Sequence, residues 1–343
     1  MTESPLKGEL VRPSTSLLVA ITFFILLAVF VTPDNLIALG PLKQSLTSKY
    51  PSVRDVTYME VRLLRLFSLV FALFLGDILL CWKWLINTSF ITSINAHEPL
   101  ETKRHAAFDR SLNSSFLIIA VCYVLSLVTL ILGPNLVGSD RYLLFIGEDG
   151  MTETVSAVLL LLCSITSIVL AYRFGAIRPR RIMHCIIAFV FFVMMGEEIS
   201  WGQRIFGLET LSFIKEANIQ NENNLHNLYG YFADHLFIFG IFAYGVLLPF
   251  IAHQKPFFRK LIDRFGLPLP TKGLAIGFLL ISLLHGWIVY RIFAPPAHPL
   301  VSLQCAEWRE FLSTIAFSLL MYETWQLVPK KKAPAELSPS RAL

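Results

Sequence analysis

Two adjacent carboxylates interrupt a long apolar run near the middle of the chain. Glu197 and Glu198 stand in the segment MMGEEISWGQRIFG. They lie about 15 residues, or about 22 Å of helix, from the start of that run. An ionised carboxylate at this depth of a membrane is costly unless it faces a partner or a water-filled cavity. We predict catalytic roles for both, with pairing to Arg204 or Arg291 as the structural alternative.

The residues that follow the two acids extend the candidate site. Ser200 is a candidate nucleophile, although no base stands at a fixed spacing from it. Trp201 and Gln203 are candidates for substrate binding, and so are the more distant Asn224 and Arg291.

A second acidic group opens the apolar stretch that precedes this one. Glu148, Asp149 and Glu153 lie within GEDGMTETVSA, and Asp149 and Glu153 share a helix face because they are four apart. Acids also stabilise helix N-termini, and Thr152 could cap this one. With His285, which could instead bond to a neighbouring helix, the three acids are the candidate metal ligands.

An amide-rich segment brings a histidine towards the same region. The run NIQNENNLHN contains Asn224 and His226, and Asp234 and His235 follow it closely. We predict that the run folds back over a polar site and that His226 is catalytic, while a plain exposed loop is the alternative. Asp234 could orient the imidazole of His235 or cap a helix.

Carboxylates and imidazoles together support two kinds of chemistry. They can bind a divalent metal ion that activates water, or they can act as general acid and base without a metal. HExxH, GxSxG and Walker motifs do not occur in the sequence, so no particular reaction is indicated. A divalent metal is therefore the one cofactor that the sequence suggests.

The elements that position these residues are apolar helices. Only 15% of the 343 residues are charged and the mean hydropathy is +0.62, which is typical of an all-α polytopic membrane bundle. The apolar runs lack the period of two of a barrel strand, and the first could instead be a signal peptide. Eight spans are predicted, over residues 15–33, 63–86, 114–133, 152–172, 182–202, 231–252, 273–293 and 304–327 of one membrane domain, 1–343.

The positive charges predict the orientation of the spans. Of the 29 Lys and Arg, 19 fall in the two tails and the loops after even-numbered spans, nine fall in the opposite loops, and Arg65 lies within the second span. Both termini should therefore be cytoplasmic. The net charge of +5 follows from this topology, and no nucleic-acid partner is predicted. Residues 203–230 should face outward as an interfacial loop with a helix over 208–217.

Two acids and the cysteines fall outside the candidate site. Asp77 follows Gly76, which suggests a hydrogen-bonded acid in closely packed helices, and Glu323 is also assigned a structural role. The five cysteines form no CxxC pair, so neither a disulfide framework nor a zinc knuckle is predicted.

Three functions are compatible with a polar site on the outer half of a membrane bundle. The first is a hydrolase or transferase acting on a lipid-type or lipid-linked substrate at the outer leaflet. The second is a proton-coupled carrier, although no repeated half or matched pair of broken spans is evident. The third is a non-catalytic assembly partner for other membrane proteins. Membrane lipids are the partners common to all three, and the oligomeric state is not indicated.

Three segments together resemble an uncharacterised family of bacterial multi-pass inner-membrane proteins. They are EDGxxE from Glu148 to Glu153, GEEISWGQR from Gly196 to Arg204, and NLHN from Asn224 to Asn227. The resemblance implies location in a bacterial inner membrane and no particular reaction. The acids and His are also similar to those of ceramidase-like membrane hydrolases, but the chain lacks their late HxxxH pair.

Overall fold

The protein is helical wherever its structure is described. The computed structural model describes residues 15–40, 43–49, 51–96, 114–146, 150–174, 177–210, 223, 232–284 and 301–327. Every regular element in these ranges is a helix, which confirms the all-α prediction. The chain divides into two compact units, Met1–His97 with Tyr229–Ala233 and Glu98–Leu228 with Asp234–Leu343. The prediction of one integral membrane domain stays a prediction.

The first unit is built around two long apolar helices. Its helices are α1 (Thr15–Phe30), α2 (Pro33–Leu39), α3 (Lys43–Leu46), α4 (Pro51–Leu80), α5 (Trp82–Ile86) and α6 (Ser89–Asn95). The chain bends by 83° between α1 and α2, where Thr32 caps α2 and Pro33 begins it. Because proline is tolerated in a first helical turn but breaks a continuing helix, this pair of residues explains the bend.

Helices α1 and α4 run antiparallel. The rings of Phe24 and Phe71 are 4.8 Å apart, and the Nε of Arg65 donates to the carbonyl of Ala28 at 2.9 Å. That carbonyl lies in the last turn of α1, where backbone acceptors have no partner within the helix. Arg65, the cation within the second predicted span, therefore stabilises the end of the first.

The structure does not confirm close packing at Gly76. Among the described residues, nothing lies within 4 Å of the position that a Cβ would take there. The neighbouring Asp77 is exposed. The prediction of a closely packed, hydrogen-bonded acid is therefore wrong for the described part of the chain.

The second unit contains the remaining helices, apart from the first two residues of α12. They are α7 (Ser114–Val137), α8 (Ser139–Ile146), α9 (Met151–Arg173), α10 (Arg178–Glu198), α11 (Gln203–Phe206), α12 (Phe232–Phe242), α13 (Leu248–Gln254), α14 (Pro256–Phe265), α15 (Lys272–Leu283) and α16 (Val301–Leu327). A π-helical segment, Ala243–Leu247, joins α12 to α13. Pro249 follows it and lacks an N–H for the regular helical ladder.

Helix α16 lies at the centre of this unit. It packs against α7, α9 and α15, and its side chains Leu312, Ala316 and Leu320 are at most 1% exposed. Polar side chains on α16 are equally buried, among them Arg309, Ser313 and Thr314. Such a helix can be polar in a membrane because its neighbours, and not lipid, surround it.

Contacts between side chains show the directions of α9, α10 and α16. Helices α9 and α16 run parallel, since Ser156 contacts Thr314 and Arg173 stacks on Trp325 at the other end. Helices α9 and α10 run antiparallel, since the Oγ of Ser164 donates to the carbonyl of Ala188 while Phe174, just after α9, stacks on His184 near the start of α10. We name the end at which α9 begins the Glu153 end, and the end at which α10 begins the Arg180 end.

Glu323 has the structural role that its position suggested. Its carboxylate accepts hydrogen bonds from the backbone N–H of Thr271, at 3.2 Å, and from the Thr271 hydroxyl, at 2.8 Å. Thr271 in turn caps α15. The buried acid therefore stabilises the start of α15 and ties it to α16.

Five helices are long and apolar enough to cross a membrane among the described residues, or six if the bent α1–α2 pair is one span. Helix α15, with 12 residues, is shorter than a full span. Helix α16, with 27 residues, is long enough to cross a membrane, but its buried polar residues make it less apolar than the five candidate spans. The chain is therefore a multi-pass membrane protein with a helical bundle, as predicted.

Candidate functional site

The candidate site begins where α10 ends in a left-handed turn. Ser200, Trp201 and Gly202 have φ angles of 47°, 53° and 77°. Only glycine adopts this conformation readily, and other residues in it cost about 1–2 kcal/mol each. Two strained non-glycine residues in sequence are unusual, and such strain is concentrated at functional sites.

The turn brings Trp201 back along α10 onto Glu197. The indole Nε1–H donates to Oε1 of Glu197 at 2.7 Å, and the ring meets Phe192 edge-on at 6.4 Å between centroids. Gly196 makes room for the indole, because a Cβ there would come within 2.9 Å of the ring. One carboxylate is thereby held in place by a side chain that is itself 45% exposed.

Gln203 connects the turn to Thr210 and Asn223. Its amide Nε2 donates to the Thr210 hydroxyl at 3.0 Å, and its Oε1 accepts the backbone N–H of Asn223 at 2.6 Å. The Asn223 side chain also donates to the carbonyl of Glu209 at 3.2 Å. The chain therefore returns to the end of α10 at Asn223, the residue before Asn224.

Three helices present acids at one height near the Glu153 end. Glu153 precedes Ser164 on α9 by as many residues as Ile199 follows Ala188. Because Ser164 contacts Ala188 and the two helices are antiparallel, Glu153 and Ile199 lie at the same height. The Phe191–Phe317 ring contact, with centroids 5.5 Å apart, likewise brings Glu198 level with Glu310 on α16. The parallel contact of Ser156 with Thr314 agrees, since it puts Glu153 level with Phe311, the residue after Glu310.

Buried polar groups on the first turns of α16 were missed by sequence reasoning. Arg309 is 1% exposed, and its Nη1 donates to the Leu284 carbonyl at 3.0 Å. Trp308 donates to the Tyr142 hydroxyl at 3.3 Å. Burial raises the pKa of Tyr142, with a smaller opposing contribution from the Trp308 hydrogen bond, so the phenol stays protonated. The signal in the sequence was the polarity of the eighth span.

Gln304 is the least satisfied of these polar groups. It is 1% exposed, and neither amide atom has a hydrogen-bond partner among the described residues. A buried amide without partners costs about 1–3 kcal/mol, so a water molecule or another polar group is the usual explanation.

The structure describes half of the predicted site residues. Glu153, Glu197, Glu198 and Gln203 are partly buried, Ser200 is 2% exposed, and Trp201 lies at the surface. The others, Glu148, Asp149, Asn224, His226, His285 and Arg291, lie outside the described residues, as do the side chains of Asp234 and His235 and most of the 208–217 segment.

The metal prediction also stays open. No group of three or more His, Cys, Asp or Glu suited to a metal ion occurs within the described ranges. Three of the four predicted ligands, Glu148, Asp149 and His285, lie outside them. The described carboxylates Glu197 and Glu198 can accept or donate protons without a metal.

Comparison of the chain with protein families, with curated proteins and with solved structures found no match.

Proposed function

We propose that the protein is a membrane-embedded hydrolase or transferase that acts on a lipid-type substrate at the outer, periplasmic leaflet of a bacterial inner membrane. In this proposal the chain crosses the membrane eight times and both termini are cytoplasmic. Catalysis is assigned to Glu197, Glu198, Ser200 and His226, substrate binding to Trp201, Gln203, Asn224 and Arg291, and a divalent metal, if one is bound, to Glu148, Asp149, Glu153 and His285.

Helix directions support the proposed topology. Helices α9 and α16 run parallel, so an odd number of crossings must separate them. Helix α15 runs antiparallel to α16, because Thr271 bonds to Glu323 at one end and Leu284 to Arg309 at the other. Counting α10, the α12–α13 pair and the predicted seventh span that begins with α15, there are three crossings between α9 and α16. The prediction of eight spans requires the same number.

Reporter fusions test the topology. Alkaline phosphatase fused after residue 146 or residue 206 should be active, because the enzyme folds only in the periplasm. The same reporter after residue 174 or residue 265 should be inactive there, and green fluorescent protein should fluoresce. The reverse pattern at either pair would contradict the proposed orientation.

The left-handed turn at Ser200–Gly202 is the observation that supports catalysis. Ser200 and Trp201 adopt unfavourable backbone conformations, and these place the Trp201 indole against Glu197, one of two adjacent carboxylates. Plain helix termination needs neither the strain nor the acids. Trp201 is 45% and Phe206 73% exposed, and exposed aromatic rings beside two carboxylates support a substrate that has both acyl chains and a polar group.

Lipid analysis of cells tests the activity. Cells that overproduce the protein should show a changed pattern of lipid species by mass spectrometry. Glu198→Gln should reduce the change by about 10²-fold or more, the usual loss when a general acid or base is removed. Glu209→Gln, a neighbouring exposed acid, is the matched control and should behave as wild type. Identical lipid patterns for wild type and Glu198→Gln would exclude the proposed activity.

A proton-coupled carrier is the second candidate, and one observation favours it. Polar contacts continue along α16 away from the site, with Ser156 on Thr314 at 3.4 Å and Cys163 on Ser318 at 3.5 Å. Vesicles containing the purified protein and a trapped pH dye separate the two candidates. Dissipation of a pH gradient that requires Glu198 would favour the carrier, whereas changed lipids without proton flux would favour the enzyme.

A further inference from the structure

Helix α14 has three chemically different sides. Ile262 and Asp263 are buried and face the rest of the unit. Phe257 and Phe258 pack edge-on against each other at 5.7 Å, and Phe258 is 41% exposed. The third side carries cations, including Lys260. An apolar side next to a cationic side is typical of helices that lie in the plane of a membrane surface.

A buried ion pair fixes this helix to the Arg180 end of the bundle. Arg180, in the first turn of α10, donates from Nη2 to Oδ2 of Asp263 at 3.2 Å and from Nε to the Asp263 carbonyl at 3.0 Å. Gly266 (φ 68°) packs on the Arg180 side chain, and a Cβ there would lie 2.7 Å from Cγ. The position of α14 is therefore determined by the fold and not by lipid alone.

The surface around α14 is strongly cationic. Within α14 and the first turn of α10, Asp263 is the one acid against several cations, and it pairs with Arg180. Burial lowers the pKa of Arg259, but a guanidinium remains protonated in proteins. We name the following cations, contributed by the first turn of α10 and by α14 with its preceding residue, the basic surface: Arg178, Arg181, Lys255, Arg259, Lys260 and Arg264.

We propose that the basic surface binds the headgroups of anionic phospholipids, while Phe257 and Phe258 insert beside their acyl chains. The excess of positive charge matches a phosphate that carries no compensating amine, and the exposed Phe258 with the half-buried Phe257 beside it matches the acyl chains attached to that phosphate. A soluble anion would satisfy the cations but would leave the phenylalanines in water. This site is distinct from the acids at the Glu153 end and does not depend on the proposed activity.

Native mass spectrometry of the purified full-length protein tests the proposal. The protein is titrated with phosphatidylglycerol or with phosphatidylcholine of the same chain length, and bound lipids are counted. Phosphatidylglycerol should bind more tightly. Each cation removed from the basic surface should weaken its binding by about five-fold, which corresponds to the usual contribution of a Lys or Arg beside an anionic membrane. We suggest Arg178→Gln with Lys255→Gln, and separately Lys260→Gln with Arg264→Gln.

Three results would overturn the proposal. The first is equal binding of the two lipids by wild type. The second is a loss of phosphatidylglycerol binding in the control pair Lys43→Gln with Lys49→Gln that equals the loss in the test pairs. The control pair removes two exposed cations from the first unit. The third is release of bound phosphatidylglycerol by inorganic phosphate at matched ionic strength, which would indicate a site for free phosphate. Unchanged thermal unfolding confirms that a variant is folded, and the two independent pairs keep the test decisive if one does not fold.

Discussion

At the scale of single residues, the most informative group is the strained turn after α10. Each member of the GEEISWGQ segment that the structure explains has a separate task. Gly196 leaves space for an indole, Glu197 accepts its hydrogen, Gly202 takes a left-handed conformation and Gln203 binds the returning chain. Glu198 stands next to the acid that binds the indole and lies level with Glu310 on α16, so it is the second carboxylate available for acid–base chemistry at this end.

Replacing Gly196 tests the packing of the turn. Gly196→Ala places a Cβ 2.9 Å from the Trp201 ring, and relief of the clash must displace the indole from Glu197. We expect a loss of about 1–3 kcal/mol in unfolding free energy, with a shift in tryptophan fluorescence. Gly240→Ala is the control, since nothing described lies within 4 Å of its Cβ position. An unchanged melting temperature and spectrum would show that the turn adapts freely.

The capping acid offers a second test at this scale. Glu323→Ala removes the acceptor for both the backbone and the hydroxyl of Thr271. A buried donor left without a partner costs about 1–3 kcal/mol, so the melting temperature in detergent should fall. Lipid conversion by the remaining folded protein should be retained, because the acid lies at the opposite end from the candidate site. Loss of activity without loss of stability would assign Glu323 to function.

At the scale of helices, sequence reasoning was accurate for type and approximate position. Continuous apolar runs have few structural alternatives in lipid, so α7, α9 and α10 begin within four residues of the predicted spans. Sequence reasoning was less accurate for the side-chain contacts between helices. Nothing in the sequence distinguishes Gly76, with no described neighbour, from Gly277, whose Cβ position lies 2.6 Å from a methyl of Ile119. Glu197 and Trp201 are four apart and were expected on one helix face, but the reversal of backbone handedness between them was hidden.

The two glycines provide a matched test of helix packing. Gly277→Ala forces α15 away from α7 at Ile119 and should lower the unfolding free energy by about 1–3 kcal/mol. Gly76→Ala meets no described atom and removes a flexible residue from a helix, so it should be neutral or stabilise by up to about 1 kcal/mol. Equal effects in thermal unfolding would mean that the crossing of α7 and α15 is looser than described.

At the scale of the whole molecule, the parallel arrangement of α9 and α16 constrains the topology most. With Cys81, Cys122, Cys185 and Cys305 replaced by Ala, the variant Ser318→Cys should form a disulfide with the native Cys163, since the two side-chain atoms are 3.5 Å apart. Mass spectrometry after proteolysis would identify the linked peptides. Ser313→Cys in the same background should not react. A cross-link from position 313 alone would require a different rotation of α16.

The polarity of α16 also has a consequence for biosynthesis. A segment that carries Arg309, Gln304 and several hydroxyls is a poor substrate for independent entry into a bilayer. Its partners on α7, α8, α9 and α15 all precede it in the chain, so they can already be in the membrane when it emerges from the ribosome. Insertion of α16 should therefore depend on a preassembled helical cavity. In chains that lack α9, this segment should fail to insert, remain in the aqueous phase and be degraded by quality-control proteases.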